Sequence, residues 1–258
     1  MWNKIAEFTP HESFLITCTQ FSPDSRFVSI SINSGWLKIY DTVNFSELIS
    51  KNIHEKSINE IRWSQDSKLI LTCSDDGCLQ INLFNENEKN LQRLCNFKGH
   101  HSYVLCCDIS FHNLRVVSGS YDESIRIWET TKGECLRMIS GHSNPVSGVC
   151  FSNDASFILS SSWDGFCRIW QTYSGLCLKS FKVFGVPICF STLSPNSEYA
   201  LTFSSNSLIK LIRINDGKDV GIYRGHKNDR YLLFGGFSMD QNANSEVYSA
   251  SEDGKIIC

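Results

Sequence analysis

Short runs of apolar and β-branched residues, broken at regular places by turn residues, make up most of this chain. Tyr103 to Ile109, Arg115 to Gly119, Ser124 to Trp128 and Glu134 to Ile139 are four such runs, with turns at Asn113-Leu114 and Lys132-Gly133. Runs of this length and composition between turn residues have the pattern of antiparallel strands. The stretch that follows repeats it almost position for position, with turns at Asn153-Asp154 and Ser174-Gly175. The expectation is an all-β chain assembled from four-stranded antiparallel units.

The unit recurs at near-constant spacing. Gly99-His100, Ser118 to Asp122 and Ile127 to Glu129 return 42 residues later as Gly141-His142, Ser160 to Asp164 and Ile169 to Gln171. Weaker copies put Ser34, Asp76, Asn206 and Asp253 where Asp122 stands, so the successive intervals are 42, 46, 42, 42 and 47. A period of about 40–45 residues with Gly-His and a Trp-Asp-like ending marks propeller blades. The chain is therefore expected to be a single β-propeller domain over 1–258. Its repeats fall at about 11–52, 53–98, 99–140, 141–183, 184–224 and an incomplete 225–258, with 1–10 as a closing strand. That makes five full blades plus most of a sixth.

A length of 258 residues with 41% hydrophobic content suits one such domain. A formal charge of -3 without a Lys/Arg cluster leaves no footprint for a nucleic-acid backbone, so direct nucleic-acid binding is not expected. Met1 to Phe8 lacks the apolar stretch of a signal peptide, and no segment approaches the ~18 apolar residues of a membrane span. An intracellular protein without a membrane partner is the expectation. The twelve cysteines are scattered through strand-like runs with no CxxC pair. Cys106 and Cys107, adjacent in a strand, point to opposite faces and suit packing better than shared ligation. Nearly all twelve are expected to be buried, reduced thiols, with no metal and no cofactor.

These residues resemble the WD-repeat family, in which a histidine, a serine or threonine, a turn aspartate and a tryptophan form a hydrogen-bonded chain that pins each blade. The resemblance assigns His100, Ser118, Asp122 and Trp128 to one chain, and His142, Ser160, Asp164 and Trp170 to the next. The Trp position becomes Tyr40, Asn82 and Ile212 elsewhere, and the fifth repeat has Phe184-Gly185 in place of Gly-His. Those blades are expected to lean on apolar packing. A catalytic reading of His142, Ser160 and Asp164 fails because the same three types recur one blade earlier. There is also no Gly-x-Ser-x-Gly elbow, phosphate-binding Gly-rich loop or His-Glu-x-x-His. No enzyme and no small-molecule substrate are expected.

Ser118 to Trp128, His142 to Ser147, Ser160 to Trp170 and Gly225 to Tyr231 are more specific. They look like the seven-bladed WD-repeat subunits of trithorax-type (COMPASS-like) histone methyltransferase complexes, most closely over 99–181 and 225–237. The resemblance implies a nuclear scaffold, with a cytoplasmic location as the alternative. In that family the channel mouth takes an arginine, from a methyltransferase motif or a histone tail, between two phenylalanine rings. By position the first ring falls at Leu105, a departure, and the second at Phe234, which is retained. Small serines fall at Asn59, Ser147 and Cys189, and the acidic residue at Asp75. Flanking aromatics fall at Tyr103, Tyr121, Trp163 and Tyr231, and Leu232 replaces a cysteine. A second groove, for a segment of another complex subunit, maps to Asn196, Tyr199 and Leu211.

The repeat supports a binding face without the resemblance. Tyr121 and Trp163 precede the turn aspartate in successive blades, and Leu105 and Ser147 share the interval of 42. Blade symmetry thus gathers them at one rim. A guanidinium over an aromatic ring gains ~0.5–2 kcal/mol, and a carboxylate adds a charge-assisted bond. Leu105 removes about half of that stacking. The competing reading is that these aromatics only pack against the neighbouring blade. An adaptor in ubiquitin-ligase or messenger-RNA-processing complexes, or an architectural subunit without a rim ligand, is the alternative function.

Two closures compete. Lys4 to Phe8 completes a seventh blade whose other strands are absent from this sequence, or it closes a compact six-bladed ring. The unbroken register up to Cys258 favours a truncated seven-bladed propeller.

Overall fold

The computed structural model describes residues 15–228, 234–239, 245–253 and 255–257. Among these there is no helix, and 23 strands form six antiparallel sheets. Blade one holds β1–β4 (Ile16–Phe21, Phe27–Ile32, Trp36–Asp41, Glu47–Asn52) and blade two β5–β8 (Ile58–Trp63, Leu69–Ser74, Cys78–Asn85, Asn90–Lys98). Blade three holds β9–β12 (Val104–Ile109, Arg115–Ser120, Ser124–Glu129, Cys135–Ser140) and blade four β13–β16 (Val146–Phe151, Phe157–Ser162, Phe166–Gln171, Cys177–Lys182). Blade five holds β17–β20 (Ile188–Leu193, Tyr199–Ser204, Leu208–Arg213, Asp219–Arg224) and blade six β21–β23 (Gly235–Met239, Ser245–Ala250, Ile256–Ile257).

Within every blade the strands pair in chain order, and the first strands β1, β5, β9, β13 and β17 lie against one another in succession. The sheets therefore stack radially around a channel, as in a β-propeller. We call the end where these first strands begin upper and the end where they finish lower. The sixth blade has three strands, and no pairing among the described residues joins it to blade one, so hydrogen bonds do not close the ring. The expected closing strand, Lys4 to Phe8, lies outside the described residues.

Each apolar cluster straddles two successive blades. Cys18, Phe27 and Leu37 of blade one pack with Ile58, Trp63 and Phe84 of blade two, and Phe190 and Phe203 of blade five pack with Phe234, Phe237 and Val247. Cys107 belongs to the cluster between blades two and three and Cys106 to the one between three and four, as opposite faces of a strand require. The expectation that nearly all cysteines are buried needs correcting. Seven of the eleven described are buried, Cys78 and Cys95 are half-buried, and Cys135 and Cys177 are exposed. The last two sit on the outermost strands β12 and β16, whose outer edge no further strand among the described residues covers.

The polar chains that pin the blades have a fixed direction. His100 Nδ1 is 2.9 Å from Asp122 Oδ2, His100 Nε2 is 2.7 Å from Ser118 Oγ, and Trp128 Nε1 donates to that Oγ at 2.8 Å. In blade four, His142 lies 2.8 Å from both Asp164 and Ser160, and Trp170 Nε1 donates to Ser160 Oγ at 2.7 Å. Because a carboxylate only accepts, the order is indole N–H to serine, serine O–H to Nε2, and Nδ1–H to aspartate. Every member is satisfied only when the imidazole is neutral.

Blade two corrects the view that the eroded blades rely on apolar packing alone. His54 Nδ1 is 2.8 Å from Asp76 and His54 Nε2 is 2.9 Å from Thr72, so only the tryptophan has been lost. Its replacement, Asn82, is buried with an unpartnered Nδ2. In blade five Phe184 takes the histidine's place, and Lys210 packs over its ring at 5.1 Å while donating to Val183 O and Asp219.

Candidate functional site at the upper channel mouth

The first strands of blades one to five all slip register at the same point. Ile58 pairs with Ser74 but Glu60 with Cys73, leaving Asn59 as a bulge, and the same slip isolates Thr17, Leu105, Ser147 and Cys189. A bulge re-aims the extra side chain and ends regular pairing. One backbone irregularity, repeated around the axis, thus sets Asn59, Leu105, Ser147 and Cys189 at equivalent places near the upper mouth.

Their side chains are in different states. Asn59 Nδ2 donates to Asp75 Oδ1 and to Val104 O, both at 2.8 Å, tying blade two to blade three. Ser147 is buried and donates to Ile188 O of blade five, so its hydroxyl stitches blades together. Cys189 is also buried, and burial pushes its thiol up. Leu105 is half-buried.

Outside this ring runs a row of aromatics. Tyr103 and Tyr121 have ring centroids 6.0 Å apart, and Tyr121 meets Trp163 edge-on at 5.7 Å. The two tyrosines are 45% and 46% exposed and Trp163 is half-buried, so the row stays in reach of solvent while the Tyr121–Trp163 contact joins blades three and four. Lys56 Nζ stands 5.7 Å from the Tyr103 centroid, an internal cation already on that face. Phe234 is elsewhere. It lies opposite Ala250, whose N–H its O accepts, one step beyond the Gly235–Ser249 pair, as Cys106 lies opposite Gly119 beyond the Cys107–Ser118 pair, which makes it the blade-six equivalent of Cys106. Its ring lies 5.0 Å from Phe190, packed against blade five. Among the described residues no ring contact joins Phe234 to the Tyr103–Trp163 row. Tyr231 and Leu232 lie outside the described residues.

The surrounding loops are acidic. Segments 33–35, 53–57, 75–77, 99–103, 121–123, 141–145, 163–165, 183–187 and 205–207 carry six carboxylates, Glu55, Asp75, Asp76, Asp122, Glu123 and Asp164, against one lysine, Lys56. Burial alone would raise the Asp122 and Asp164 carboxyls. Hydrogen bonds from His100, Ser124 and a main-chain amide more than offset it for Asp122, and those from Arg168 and His142 hold Asp164 down at about 2.

Comparison with known proteins gives the architecture its family. The WD40 family (WD domain, G-beta repeat) matches residues 2–41, 46–81, 91–129 and 133–171, more than half of the chain. The chain belongs to the WD40 family. Among similar proteins are COMPASS component SWD3 of Saccharomyces cerevisiae, 33% identical over 147 residues, and Periodic tryptophan protein 2 of the same yeast, 32% identical over 133. Nuclear distribution protein PAC1 of Komagataella phaffii is 26% identical over 164 residues. These matches take in 55%, 47% and 58% of this chain but only 44%, 14% and 32% of the relatives.

Two further features of the structure bear on other candidate sites. Ser22, Ser64, Ser152 and Ser194 each donate at 2.5–2.6 Å to a residue two places on, Asp24, Asp66, Asp154 and Asn196 respectively. Asn196 is therefore the fifth-blade copy of a turn that recurs on the lower face in blades one, two and four, and its amide also donates to Glu198. Tyr199 and Leu211, half-buried, lie in β18 and β19 without a direct pairing to each other. Glu60, Cys73 and Cys107 cluster tightly enough for a metal, yet burial pushes both thiols up, and the Glu60 oxygens already accept from Arg62 and from Cys107 N. That donor set fits packing better than a cation.

The sequence reading missed His54, although it stands 22 residues before Asp76 as His100 stands 22 before Asp122. The missing glycine before it hid the copy. It also missed Lys56, whose place over Tyr103 no spacing rule announces.

Proposed function

We propose that this WD40 propeller is a non-catalytic scaffold that docks arginine-containing peptides at its upper mouth, within a nuclear histone-lysine methyltransferase-type complex. The observation that carries the docking site is the row of exposed Tyr103 and Tyr121 and half-buried Trp163 beside Asp75, among loops of blades one to five that carry six carboxylates and one lysine. Ring faces attract a guanidinium, the acidic loops steer it, and a carboxylate completes its hydrogen bonding. The similarity to a COMPASS component supports the assembly. In this arrangement Phe234 bounds the mouth on the blade-six side and Leu105 offers an aliphatic floor.

The test is titration of an arginine-bearing peptide and its alanine counterpart into the wild type, Tyr121→Ala, Phe234→Ala and Lys56→Ala. Arginine-dependent binding is expected, weakened several-fold by the first two variants and tightened by Lys56→Ala, which vacates the Tyr103 face. Equal affinities in all four proteins would remove the docking site. Affinity capture addresses the assembly, since methyltransferase subunits are the expected partners. The resemblance to PAC1 and Periodic tryptophan protein 2 makes other complexes the rival outcome.

A further inference from the structure

At the opposite, lower end of the channel, the last residues of the first strands of blades one to four and the turns that follow them line an open cavity of about 200 Å³. A single water needs only ~15 Å³ of such space. Arg62 and Asp108 are the charged groups of its lining, beside the amides of Gln20, Gln65 and Asn153; Trp63 and Phe151 line its apolar side, and Phe21 and Phe111 stand at its rim. Those rim rings are 62% and 52% exposed, although both are large and apolar.

The polar side is incompletely satisfied. Arg62 Nη2 donates to Glu60 Oε1 at 2.6 Å, but Arg62 Nε is buried and has no partner. The nearby carboxylates do not serve it. Glu60 Oε2 accepts from Cys107 N at 2.8 Å, and Asp108 accepts from Phe151 N at 2.8 Å and Ile109 N at 3.0 Å. Blades two, three and four thus share two carboxylates and one guanidinium, and among the described residues only Nη2 of that guanidinium has a partner.

We propose that this lower cavity receives the primary amide side chain, glutamine or asparagine, of an apolar partner segment that covers Phe21 and Phe111. The charges select this class. A partner carboxylate would be a third beside Glu60 and Asp108, both of which burial already pushes towards the neutral form. A cation would meet the Arg62 guanidinium and offer it no acceptor. A primary amide is uncharged, accepts through its oxygen from the part of the Arg62 guanidinium that lines the cavity and donates through its nitrogen to Asp108. Its flanking apolar residues remove the two exposed rings from water.

The probes are four labelled peptides identical except for a central glutamine, glutamate, lysine or leucine between leucine flanks. They are titrated into the 258-residue chain while the Trp63 indole resonance is followed. The glutamine peptide is expected to saturate at a concentration at least tenfold lower than the other three. Arg62→Met is expected to abolish that preference. Because Arg62→Met leaves Glu60 unpaired and risks misfolding, Phe111→Ser, at an exposed site, decides independently: at least threefold weaker glutamine-peptide binding with an unchanged melting temperature. Tyr121→Ala, on the upper face, is expected to leave this affinity as in the wild type. No saturation by any peptide, equal or tighter binding of the glutamate or lysine peptide, or full affinity in Phe111→Ser would each overturn the proposal.

Discussion

His142 donates to a carboxylate on one side and accepts from a hydroxyl on the other, so the blade is built around a neutral imidazole. Burial pushes His100 and His142 below the ordinary value of 6.5, and their aspartates only partly restore it. Below pH 6.5 the unfolded chain therefore binds more protons than the folded one, and stability falls as pH falls. The histidine contribution is whole above 6.5 and is lost as pH drops through the lower folded value. The aspartate contribution is whole above the ordinary 3.8 and is lost towards about 2 for Asp164. Urea melts at pH 7.5, 6 and 5 should show a declining midpoint. In His142→Gln the decline over this range should be shallower; an unchanged slope would mean that the imidazole is not the titrating group.

At the scale of the blade, the recurrence of Gly-His with a distant tryptophan has a steric cause. A Cβ on Gly141 would stand 2.6 Å from the Trp170 ring, and one on Gly99 3.1 Å from that of Trp128. The glycine makes room for the indole that completes the chain. Blade two has Ile53 at that place and Asn82 instead of tryptophan, so it lacks both the glycine and the indole that the glycine makes room for. Gly141→Ala should cost about 1–3 kcal/mol through overpacking, seen as a lower urea midpoint. Asn82→Trp alone should destabilise. Combined with Ile53→Gly it should recover part of the loss, with a coupling of about 0.5–3 kcal/mol in a double-mutant cycle. Simple additivity would contradict the shared-space explanation.

Across the whole molecule, stability is carried between blades, because each apolar cluster belongs to two of them and carboxylates such as Asp108 accept amides of the next blade. Blade six is held by Phe190 and Phe203 against Phe234 and Phe237, and by Asn228, which donates to Ser207 Oγ and to Ser204 O. With no hydrogen-bonded neighbour on its far side among the described residues, it depends on that one interface. Phe190→Ala should speed amide exchange in β21 and β22 at least tenfold and leave β9 to β11 near wild-type rates. Uniform acceleration in every blade would show instead that the ring opens as one unit.

The sequence by itself determined the blades, because a strand, a turn and a hydrogen-bonded chain are local and repeat with the period of the chain. Gly-His, the turn aspartates and Trp128 and Trp170 could be read directly, as could the common rim of Tyr121 and Trp163. What the tertiary structure decided is what happens where separate blades meet. It used the Ser147 hydroxyl and the Asn59 amide as stitches between blades, set Lys56 over Tyr103, packed Phe234 on Phe190 and left Arg62 with an unmatched N–H at the lower mouth. A repeat pattern fixes which positions are equivalent. Which neighbour a side chain meets across the gap depends on the residue in the next blade, and only the folded ring brings the two together.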